Sequence, residues 1–443
     1  MAGEGLDIFL GDRKVGAITA LGGDRTVFTF DDAYADDPAR PTLSLSFKDA
    51  LGDLIRDQRR TQTRLAPFFS NLLPEGPLRD YLAQRAGVNT VREFYLLWAL
   101  GRDLPGAIIA RRPSGEEPIP AADDQGPAVG GVAAGAPMQF SLAGVQLKFS
   151  AVEKARGGLT IPVTGVGGSW IVKLPSTRFA GVSENEYSMM TLAKGVGIDV
   201  PDIQLLGLDK IAGLPDGIGR LEGAAYAIRR FDRTADGARI HMEDFAQVFG
   251  VYPDDKYRRA SYRAIARVLW LETGEAGITE FVRRLVFNVL IGNADMHLKN
   301  WSLLYADGVT PALSPAYDFV STLAYIPDDK AALKFARTAR WDGLTEDELA
   351  YLAAKAGLPE RLVIATARAT VEAFREIWAR ERAHLPLRGE IADVVDRQLQ
   401  IVPLAGAICG GEGFPLRPSR TSRSTPSAGR PPQRPGIGKW PAA

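Results

Sequence analysis

A segment rich in proline, glycine and alanine divides this sequence into two parts. Residues 113–137 read PSGEEPIPAADDQGPAVGGVAAGAP and contain few large apolar side chains. Such a segment cannot bury enough side chain to hold one conformation, so it predicts a flexible linker. At 443 residues the chain also exceeds what one hydrophobic core usually organises. We therefore expect separate folded units before and after this linker.

The part before the linker, residues 1–112, has the pattern of a small α+β domain. Three short apolar segments, LDIFLG, KVGAITAL and TVFTF, are separated by Asp, Arg and Gly and predict strands between residues 6 and 31. From about Phe68 to Leu100 the pattern becomes helical, with FFSNLLPEG as a turn and REFYLLWALG as an apolar helix.

The part after the linker predicts a β-rich lobe at residues 138–235 and a mainly helical lobe at residues 236–408. In the first lobe, FSLAGVQLKFSAV and SWIVKLP are typical of strands, and ENEYSMMTLAKGVG is typical of a helix that ends at glycine. In the second lobe, FVRRLVFNVLIG has a helical apolar stripe, and Thr345 with Glu348 is a candidate capping box. Residues 359–384 predict another long helix. The fold class expected from these patterns is α+β with two lobes.

Charge, cysteine content and the ends of the chain limit the function classes. Lys plus Arg and Asp plus Glu both total 53, so no global basic field favours binding to nucleic acid. The single cysteine, Cys409, excludes an internal disulfide and a cysteine-based zinc cluster. The N-terminal residues lack a signal-peptide pattern, and no apolar run approaches the roughly 20 residues of a membrane span. We expect a cytoplasmic protein without membrane contact, whose basic tail at residues 409–443 is disordered.

The loop NADMHLKN, which follows the FVRRLVFNVLIG helix, suggests phosphoryl transfer. Asp295 and Asn300 lie five positions apart in it, as the Asp and Asn do in the protein-kinase catalytic loop H-R-D-x-x-x-x-N. An ionised Asp295 could accept the proton of an acceptor hydroxyl, and Asn300 could offer an oxygen to a magnesium ion. The alternative is a surface loop in which both side chains satisfy local turns.

Asp318 is a candidate second metal ligand. It lies in SPAYDFVST, eighteen residues after Asn300 and beyond the strand-like WSLLY. In protein kinases this place in the chain belongs to the D-F-G motif, whose Asp binds magnesium. Here Phe319 is present but Val320 replaces the glycine, so an aspartate in an ordinary turn remains the alternative.

Lys173 is the candidate phosphate-binding lysine. In WIVKLP it shares a strand face with Ile171, which places its ammonium beside a buried surface. The helix that follows contains Glu184 and Glu186, and either could pair with Lys173 as the helix-C glutamate of kinases does. We favour Glu186, and a solvated lysine with two surface acids is the alternative.

The segment SLAGVQLK, Ser141 to Lys148, is a weaker candidate for a phosphate-binding loop. It has one glycine and fits neither G-x-G-x-x-G nor the Walker A pattern. The small residues Ala143 and Gly144 could let backbone N–H groups approach phosphate oxygens, with Gln146 and Lys148 as further donors. On the residues of this segment alone, an ordinary strand with a tight turn is the favoured interpretation.

His297 lies between Asp295 and Asn300 and has two possible roles. It could be a metal ligand, but we favour a structural hydrogen bond that holds the loop. No cluster of His and Cys residues supports a zinc site.

Seven segments in order resemble the landmarks of the HipA-like kinases, which are toxins of bacterial toxin–antitoxin pairs. The segments are SLAGVQLKFS, WIVKLP, ENEYSMMTLAKGVGIDVP, AIRRFDR, HMEDFAQVFG, NADMHLKN and LSPAYDFVS. FFSNLLPEG also resembles the N-terminal domain of this family, so the likeness covers about residues 5–385. It implies a two-lobed, protein-kinase-like fold in which the β-rich lobe binds nucleotide and the helical lobe is catalytic.

The resemblance also implies roles for individual residues. Asp295 would be the catalytic aspartate, and Asn300 and Asp318 would be the Mg²⁺ ligands. Ser141 matches the serine that members of the family autophosphorylate, which displaces the phosphate loop and prevents nucleotide binding. The ATP-binding residues would be Ala143, Gly144, Val145, Gln146, Leu147, Lys148, Lys173, Glu186, Arg229, Arg230, Phe231, His297, Lys299, Asn300, Tyr317 and Asp318.

Two residues depart from the family pattern. Leu147 stands where the family often has Glu, and Arg229 stands where a Glu commonly precedes Arg-Phe-Asp-Arg. Both departures bear on nucleotide binding, whereas the catalytic Asp, Asn, Asp and Lys are present. Arg229 to Phe231 would contact the adenine through the backbone.

The family's partners complete the expected function. The protein substrate would be a translation-related protein such as an aminoacyl-tRNA synthetase, and the partner would be a small helix-turn-helix antitoxin through which operator DNA is bound. No helix-turn-helix pattern occurs in this chain. The alternatives are a small-molecule kinase of similar fold and a catalytically silent scaffold of a DNA-bound antitoxin complex.

Overall fold

The computed structural model describes residues 4–113, 147–153, 158–161, 167–214, 221–328 and 330–406. Almost all of the predicted linker, the start of the predicted phosphate loop and the basic tail lie outside these ranges. The α+β class predicted from the sequence is confirmed, because the described residues form three β-sheets and two groups of packed helices.

The strands are short. They are β1 Gly5–Leu10, β2 Arg13–Leu21, β3 Arg25–Phe30, β4 Thr61–Gln62, β5 Ile108–Arg111, β6 Lys148–Glu153, β7 Leu159–Thr160, β8 Trp170–Lys173, β9 Ile203–Gly207, β10 Ile211–Ala212, β11 Ala224–Arg229, β12 His241–Asp244, β13 Ser302–Tyr305 and β14 Ala312–Leu313. Of these, β1, β2, β3, β6, β8 and β13 fall on apolar segments for which the sequence predicts strands.

The helices are concentrated after residue 180. They are α1 Asp32–Ala35, α2 Pro67–Ser70, α3 Gly76–Ala86, α4 Glu93–Leu100, α5 Val182–Gly195, α6 Phe245–Val248, α7 Tyr262–Leu290, α8 Glu346–Ala356, α9 Glu360–Glu381, α10 Gly389–Ile401 and α11 Pro403–Gly406. None of the helices within the described ranges combines the length and the apolar character that a bilayer span requires.

The N-terminal unit is an antiparallel sheet covered by helices α2 to α4. Its strand order is β4-β3-β2-β1-β5. Alternate residues of β1 and β3 are buried, as the two-residue period of a half-buried strand predicts. Phe28, Phe47, Phe68 and Phe69 form the aromatic centre of its separate core.

The β-rich lobe is a six-stranded sheet with helix α5 on one face. Its strand order is β10-β7-β6-β8-β11-β9. Strand β8 alternates between the two faces, because Trp170 and Val172 enter the core of the lobe whereas Ile171 and Lys173 face the other way. The predicted shared face of Ile171 and Lys173 is therefore confirmed.

The helical lobe is organised around α7, in which two helical segments meet at Gly274. Residues on its C-terminal half, from Ile278 to Leu290, are largely buried against α9 and neighbouring elements. The small sheet β12-β13-β14 packs beside them. Strand β12 precedes α7 and strand β13 follows the NADMHLKN loop, so their pairing joins the chain segments on either side of α7 and this loop.

The predicted capping box of α8 is only half formed. The side chain of Thr345 accepts a hydrogen bond from the Glu348 N–H at 3.1 Å, as expected. The Glu348 carboxylate does not return to Thr345. It accepts from the backbone N–H groups of Ala336 and Arg337 and from the Arg337 guanidinium instead, and the Thr345 N–H donates to the Gly343 carbonyl.

A buried glutamate joins the N-terminal unit to the helical lobe. Glu243 on β12 accepts hydrogen bonds from the Ser44 hydroxyl at 2.5 Å, the Leu45 N–H at 3.0 Å and the Tyr305 hydroxyl at 2.5 Å. Burial raises the pKa of Glu243 to about 7, although the two hydroxyl groups oppose this effect. Asp103 of the N-terminal unit makes a second link through an ion pair of 3.0 Å with Arg233.

Candidate active site

The NADMHLKN loop begins where α7 ends, at a glycine that no other residue could replace easily. Gly292 has a positive φ of 66°, and a Cβ there would lie 2.9 Å from Leu323 and 3.1 Å from Gln398. The helix before it is buried, so the loop starts from a fixed point. The loop then runs over Asp295 and His297 to a short 3₁₀ turn at Leu298–Asn300.

Asn293 connects this loop to the segment that carries Asp318. Its side-chain N–H donates to the backbone carbonyl of Asp318 at 3.2 Å and to Asn288 at 2.8 Å. Its carbonyl oxygen accepts from the Asp295 N–H at 3.0 Å. Asn293 thus holds the backbones of the two candidate catalytic aspartates in one network, a role that sequence reasoning missed because a lone Asn after a helix has no distinctive pattern.

Lys173 forms ion pairs with two carboxylates from different elements. Its Nζ lies 2.6 Å from Glu186 of α5 and also contacts Asp318 directly. The predicted pairing with Glu186 is therefore present, whereas the Glu184 carboxylate accepts from the Ala224 N–H at 3.4 Å. This arrangement joins the central strand of the β-rich lobe, its helix and the Asp318 segment of the helical lobe.

The two carboxylates beside Lys173 have opposite pKa shifts. Burial raises the pKa of Glu186 to about 7, against the opposing effect of Lys173. Burial also acts on Asp318, but the ammonium groups of Lys173 and Lys148 outweigh it and hold the pKa of Asp318 at about 2. The pKa of Lys173 is raised because Asp318 and Glu186 outweigh the effect of its burial. The Asp318 carboxylate is thus ionised at neutral pH.

Asp318 has a strained backbone. Its φ is 58°, in the left-handed region that residues other than glycine seldom adopt. The Asn293 hydrogen bond and the next side chain, Phe319, which is buried against Phe287 with ring centroids 5.2 Å apart, hold this conformation. Such strain is common at functional sites, and it turns the Asp318 carboxylate toward Lys173 rather than into a regular strand.

Asp295 keeps contact with solvent and has one side-chain hydrogen-bond partner among the described residues. The Tyr257 hydroxyl donates to its Oδ1 at 2.5 Å. The surrounding protein partly desolvates the carboxyl and raises the pKa of Asp295, while the hydrogen bond from Tyr257 lowers it. Tyr257 lies in the sequence PDDKYRRAS, in which nothing indicated a contact with Asp295.

Two buried polar atoms near this loop have no hydrogen-bond partner among the described residues. They are Oδ1 of Asn300 and Nδ1 of His297. An unsatisfied buried polar atom costs about 1–3 kcal/mol, so such atoms often bind a ligand. The structural hydrogen bond that we favoured for His297 is not made by Nδ1. Burial lowers the pKa of His297 to about 3, so its imidazole is neutral.

Phe231 and Tyr317 form an aromatic pair beside the loop, with ring centroids 5.7 Å apart. The Tyr317 hydroxyl donates to the Lys299 carbonyl at 2.9 Å. This bond ties the segment that carries Asp318 to the loop that carries Asn300. Asp295, on the same loop as Asn300, is linked to Asp318 through Asn293.

The side chains of Arg229 and Arg230 are engaged away from this aromatic pair. The Arg230 guanidinium is buried against Asp232 at 2.8 and 2.9 Å, and Arg229 lies 3.9 Å from Asp202. The backbone N–H of Arg229 donates to the carbonyl of Asp202, and the backbone N–H of Arg230 donates to the carbonyl of Ser169. The backbone N–H groups of both residues are thus already engaged, and the backbone role expected for Arg229 to Phe231 stays a prediction.

Leu147 and Lys148 are the described part of the predicted phosphate loop. Leu147 is buried in the core of the β-rich lobe, and its carbonyl accepts from the Leu174 N–H at 2.8 Å. Lys148 begins β6 and pairs in register with Lys173 of β8. Ser141, Ala143, Gly144, Val145 and Gln146 lie outside the described residues.

A carboxylate of the N-terminal unit holds two lysines of the site. Glu75 lies 2.7 Å from Lys299 and 2.8 Å from Lys256, and Lys299 also donates to the Asn71 carbonyl at 3.1 Å. The two ammonium groups outweigh burial and hold the pKa of Glu75 at about 2. Glu75 is part of the FFSNLLPEG turn, and sequence reasoning assigned it no contact with the catalytic loop.

The candidate metal ligands are one carboxylate and one amide. Within the described ranges, no group of three His, Cys, Asp or Glu side chains could hold a metal ion. Oδ1 of Asn300 and the ionised Asp318 are both oxygen donors, the ligand type that Mg²⁺ prefers.

Comparison with known proteins identifies the family. The model of the HipA-like C-terminal domain matches residues 140–378, and the model of the HipA N-terminal domain matches residues 6–111. The chain belongs to the HipA family. Together the two HipA domain models cover the N-terminal unit, the candidate active site and most of the helical lobe.

Relatives agree with this assignment over most of the chain. Y4dM of Sinorhizobium fredii is 56% identical over 402 residues, which are 90% of this chain and 97% of that protein. The serine/threonine-protein kinase toxin HipA of Shewanella oneidensis is 28% identical over 418 residues, 84% of this chain and 89% of that protein.

A solved structure shares the fold. It is the complex of HipA, HipB and operator DNA from the Shewanella oneidensis toxin–antitoxin system, and it matches with a TM-score of 0.68 at 24% identity. The match covers 91% of this chain and 97% of the other. The two-lobed, kinase-like HipA fold expected from the sequence is confirmed.

Proposed function

We propose that this HipA-family chain is an ATP-dependent protein kinase that phosphorylates serine or threonine. The observation that carries the proposal is the contact of Lys173 with both Glu186 and Asp318. In protein kinases a strand lysine paired with a helix glutamate, next to a metal-binding aspartate, is the arrangement required for transfer. An ion pair between Lys173 and Glu186 that only stabilised the fold would not require a second carboxylate, that of Asp318, on a strained backbone.

The nucleotide would lie between the two lobes. Lys173 would bind phosphate oxygens, and the Phe231–Tyr317 pair with the neutral His297 would form the wall beside the adenine and ribose. The backbone carbonyls near Arg229 and Arg230 offer acceptors for an adenine amino group. The segment from Ala143 to Lys148 would cover the phosphates.

Asn300 and Asp318 would hold the magnesium ion. The fit rests on the partnerless Oδ1 of Asn300 and on the ionised carboxylate of Asp318, both of which are oxygen donors. When bound, magnesium neutralises charge on the phosphate oxygens. Without the ion, Lys173 keeps the Asp318 carboxylate ionised.

Asp295 would orient the acceptor hydroxyl and take its proton. The hydroxyl oxygen then attacks the γ-phosphorus of ATP, and the bond from that phosphorus to the ADP oxygen breaks. The Asp295 carboxylate is suited to this role because it reaches solvent, while the Asn293 hydrogen bond fixes its backbone.

The biological setting follows from the relatives. We infer that the chain is the toxin of a toxin–antitoxin pair, with a small HipB-like helix-turn-helix antitoxin that contacts operator DNA. A translation-related protein such as an aminoacyl-tRNA synthetase would be the substrate, and Ser141 the site of autophosphorylation. Such a pair acts in the cytoplasm.

A phosphopeptide comparison tests the proposed activity. The wild-type chain and Asp318→Ala are expressed briefly in a bacterial host, and phosphopeptides are compared by mass spectrometry. We expect new phosphoserine or phosphothreonine on cellular proteins with the wild type only. Asp393→Ala, at an exposed position of α10, is the matched control and should behave as the wild type.

Two outcomes would contradict the proposal. Identical phosphopeptides with wild type and Asp318→Ala would favour the silent scaffold. Radiolabelled ATP that transfers its label to lysate metabolites and not to proteins would favour a small-molecule kinase.

A further inference from the structure

The hydroxyl of Tyr257 lies where an acceptor hydroxyl would have to be. It donates to Oδ1 of Asp295 at 2.5 Å. A general base must lie within about 2.6–3.2 Å of the hydroxyl that it deprotonates. Tyr257 therefore occupies one of the two carboxylate oxygens that an incoming serine, threonine or water molecule would use.

Tyr257 is held in a way that lets its side chain leave while its backbone stays. The residue is 43% exposed, and its ring contacts the edge of His297 with centroids 5.0 Å apart. The preceding residue, Lys256, is anchored by its ammonium to Glu75 and by its carbonyl to the Leu298 N–H. Rotation of one partly exposed side chain is thus enough to free Asp295.

The phenol is a donor here and not a competing nucleophile. Burial and the neighbouring Asp295 both raise the pKa of Tyr257 above its usual value, so the hydroxyl keeps its proton. A protonated phenol hydrogen-bonded to the carboxylate occupies it without reacting.

We propose that Tyr257 is an acceptor-side positioning residue, whose hydroxyl holds Oδ1 of Asp295 and keeps water from it until a protein hydroxyl displaces the phenol. This inference rests on the proposed function, because it assumes that Asp295 is the base. Because the Tyr257 hydroxyl competes with water for Oδ1, it would slow the hydrolysis of ATP when no protein substrate is bound. Water is the smallest acceptor, and the phenol takes the place on Oδ1 that a water molecule would use.

The test uses water as the acceptor, so no protein substrate need be known. Release of ADP from MgATP is measured for the full chain without added protein, in the wild type, Tyr257→Phe, Tyr351→Phe and Asp295→Asn. Tyr257→Phe keeps the ring against His297 and removes only the hydroxyl. Tyr351→Phe is the matched control. It removes the hydroxyl of a tyrosine on α8 whose ring contacts Arg337 and Lys355.

We expect kcat for hydrolysis to rise about 2- to 10-fold in Tyr257→Phe, as for the loss of one competing hydrogen bond, with an unchanged KM for ATP. Tyr351→Phe should match the wild type. A merely structural role for Tyr257 would lower kcat or raise KM, so a rate equal to or below that of the wild type overturns the inference.

The proposed function and the role of Tyr257 fail on different results. If the wild type transfers no more label from [γ-³²P]ATP to lysate proteins than Asp295→Asn does, the proposed function fails and this inference fails with it. If the wild type labels proteins more than Asp295→Asn does but Tyr257→Phe releases ADP no faster than the wild type, only the role of Tyr257 is lost.

Discussion

At the scale of single residues, the site depends on how one ammonium group is shared by two carboxylates. Lys173 is 12% exposed, Glu186 is 1% exposed and Asp318 is 32% exposed. Burial therefore dominates the pKa of Glu186, and the nearby positive charges dominate that of Asp318. Asp318 is the more exposed and more acidic partner, so it is the one suited to exchange Lys173 for a metal ion.

Replacing Glu186 with Gln should impair phosphoryl transfer much more than replacing Glu184 with Gln. A neutral amide no longer holds the Lys173 ammonium, and a hydrogen bond to a charged group contributes about 1.5–3 kcal/mol, equivalent to roughly a 10- to 100-fold loss of kcat/KM. The two glutamates lie on the same helix, so Glu184→Gln controls for effects on α5. Equal losses in both variants, measured with radiolabelled ATP, would count against the role given to Glu186.

The residues that could be found from the sequence are those whose spacing is fixed by one short loop or one strand. Asp295 and Asn300 belong to one loop, and Lys173 to one strand. Tyr257 is 38 positions from Asp295, and Glu75 is 181 positions from Lys256. Such contacts arise only from tertiary packing, and no local pattern encodes them. The same holds for the strain at Asp318, which the segment SPAYDFVST does not reveal.

At the scale of elements, the C-terminal half of α7 fixes the position of the catalytic loop, and Gly274 sets the direction of this half of the helix. Gly274 has φ 63° and ψ −149° within the span Tyr262–Leu290, so the helix is two helical segments that meet at this residue. That backbone region is essentially restricted to glycine. The sequence predicted the second segment from its apolar stripe, but the break itself could not be read because the residues around it fit one continuous helix.

Replacing Gly274 with Ala should destabilise the fold although there is room for the methyl group. An added Cβ would meet no atom within 4 Å, so any loss comes from backbone strain of about 1–3 kcal/mol. Gly389→Ala is the matched control, since its Cβ also meets no atom and its φ is not positive. Thermal unfolding of both variants checks this. A Gly274→Ala melting temperature equal to that of Gly389→Ala would show that the break carries no strain.

At the scale of the whole molecule, the N-terminal unit is part of the active-site region. Ser44 and Leu45 bind Glu243, Asp103 binds Arg233, and Glu75 reaches the lysine next to Asn300. The sequence separated the chain at the 113–137 segment and treated the first part as an independent domain. The separate core of the N-terminal unit agrees with that division. The contact of Glu75 with Lys299 in the catalytic loop could not be predicted from a domain boundary.

Replacing Glu75 with Gln should reduce phosphoryl transfer without unfolding the protein. The amide cannot balance Lys256 and Lys299, so the loop that carries Asp295 and Asn300 is held less firmly. Because the pair is partly exposed, we expect a loss of only about three- to tenfold in kcat. Asp80→Asn, at an exposed position of helix α3, which begins at the residue after Glu75, should leave the rate unchanged. An unaltered rate in Glu75→Gln would mean that the N-terminal unit only packs beside the site.

Labelling of proteins by the purified chain with [γ-³²P]ATP and Mg²⁺ is the most direct test of the proposed catalysis. Wild type, Asp295→Asn and Asp393→Asn are incubated with bacterial lysate, and ATP-analogue binding is measured in parallel. We predict label on serine or threonine with the wild type and Asp393→Asn, and a loss of about 10²- to 10⁴-fold in Asp295→Asn with nucleotide binding retained. Equal labelling by Asp295→Asn and the wild type would contradict the account.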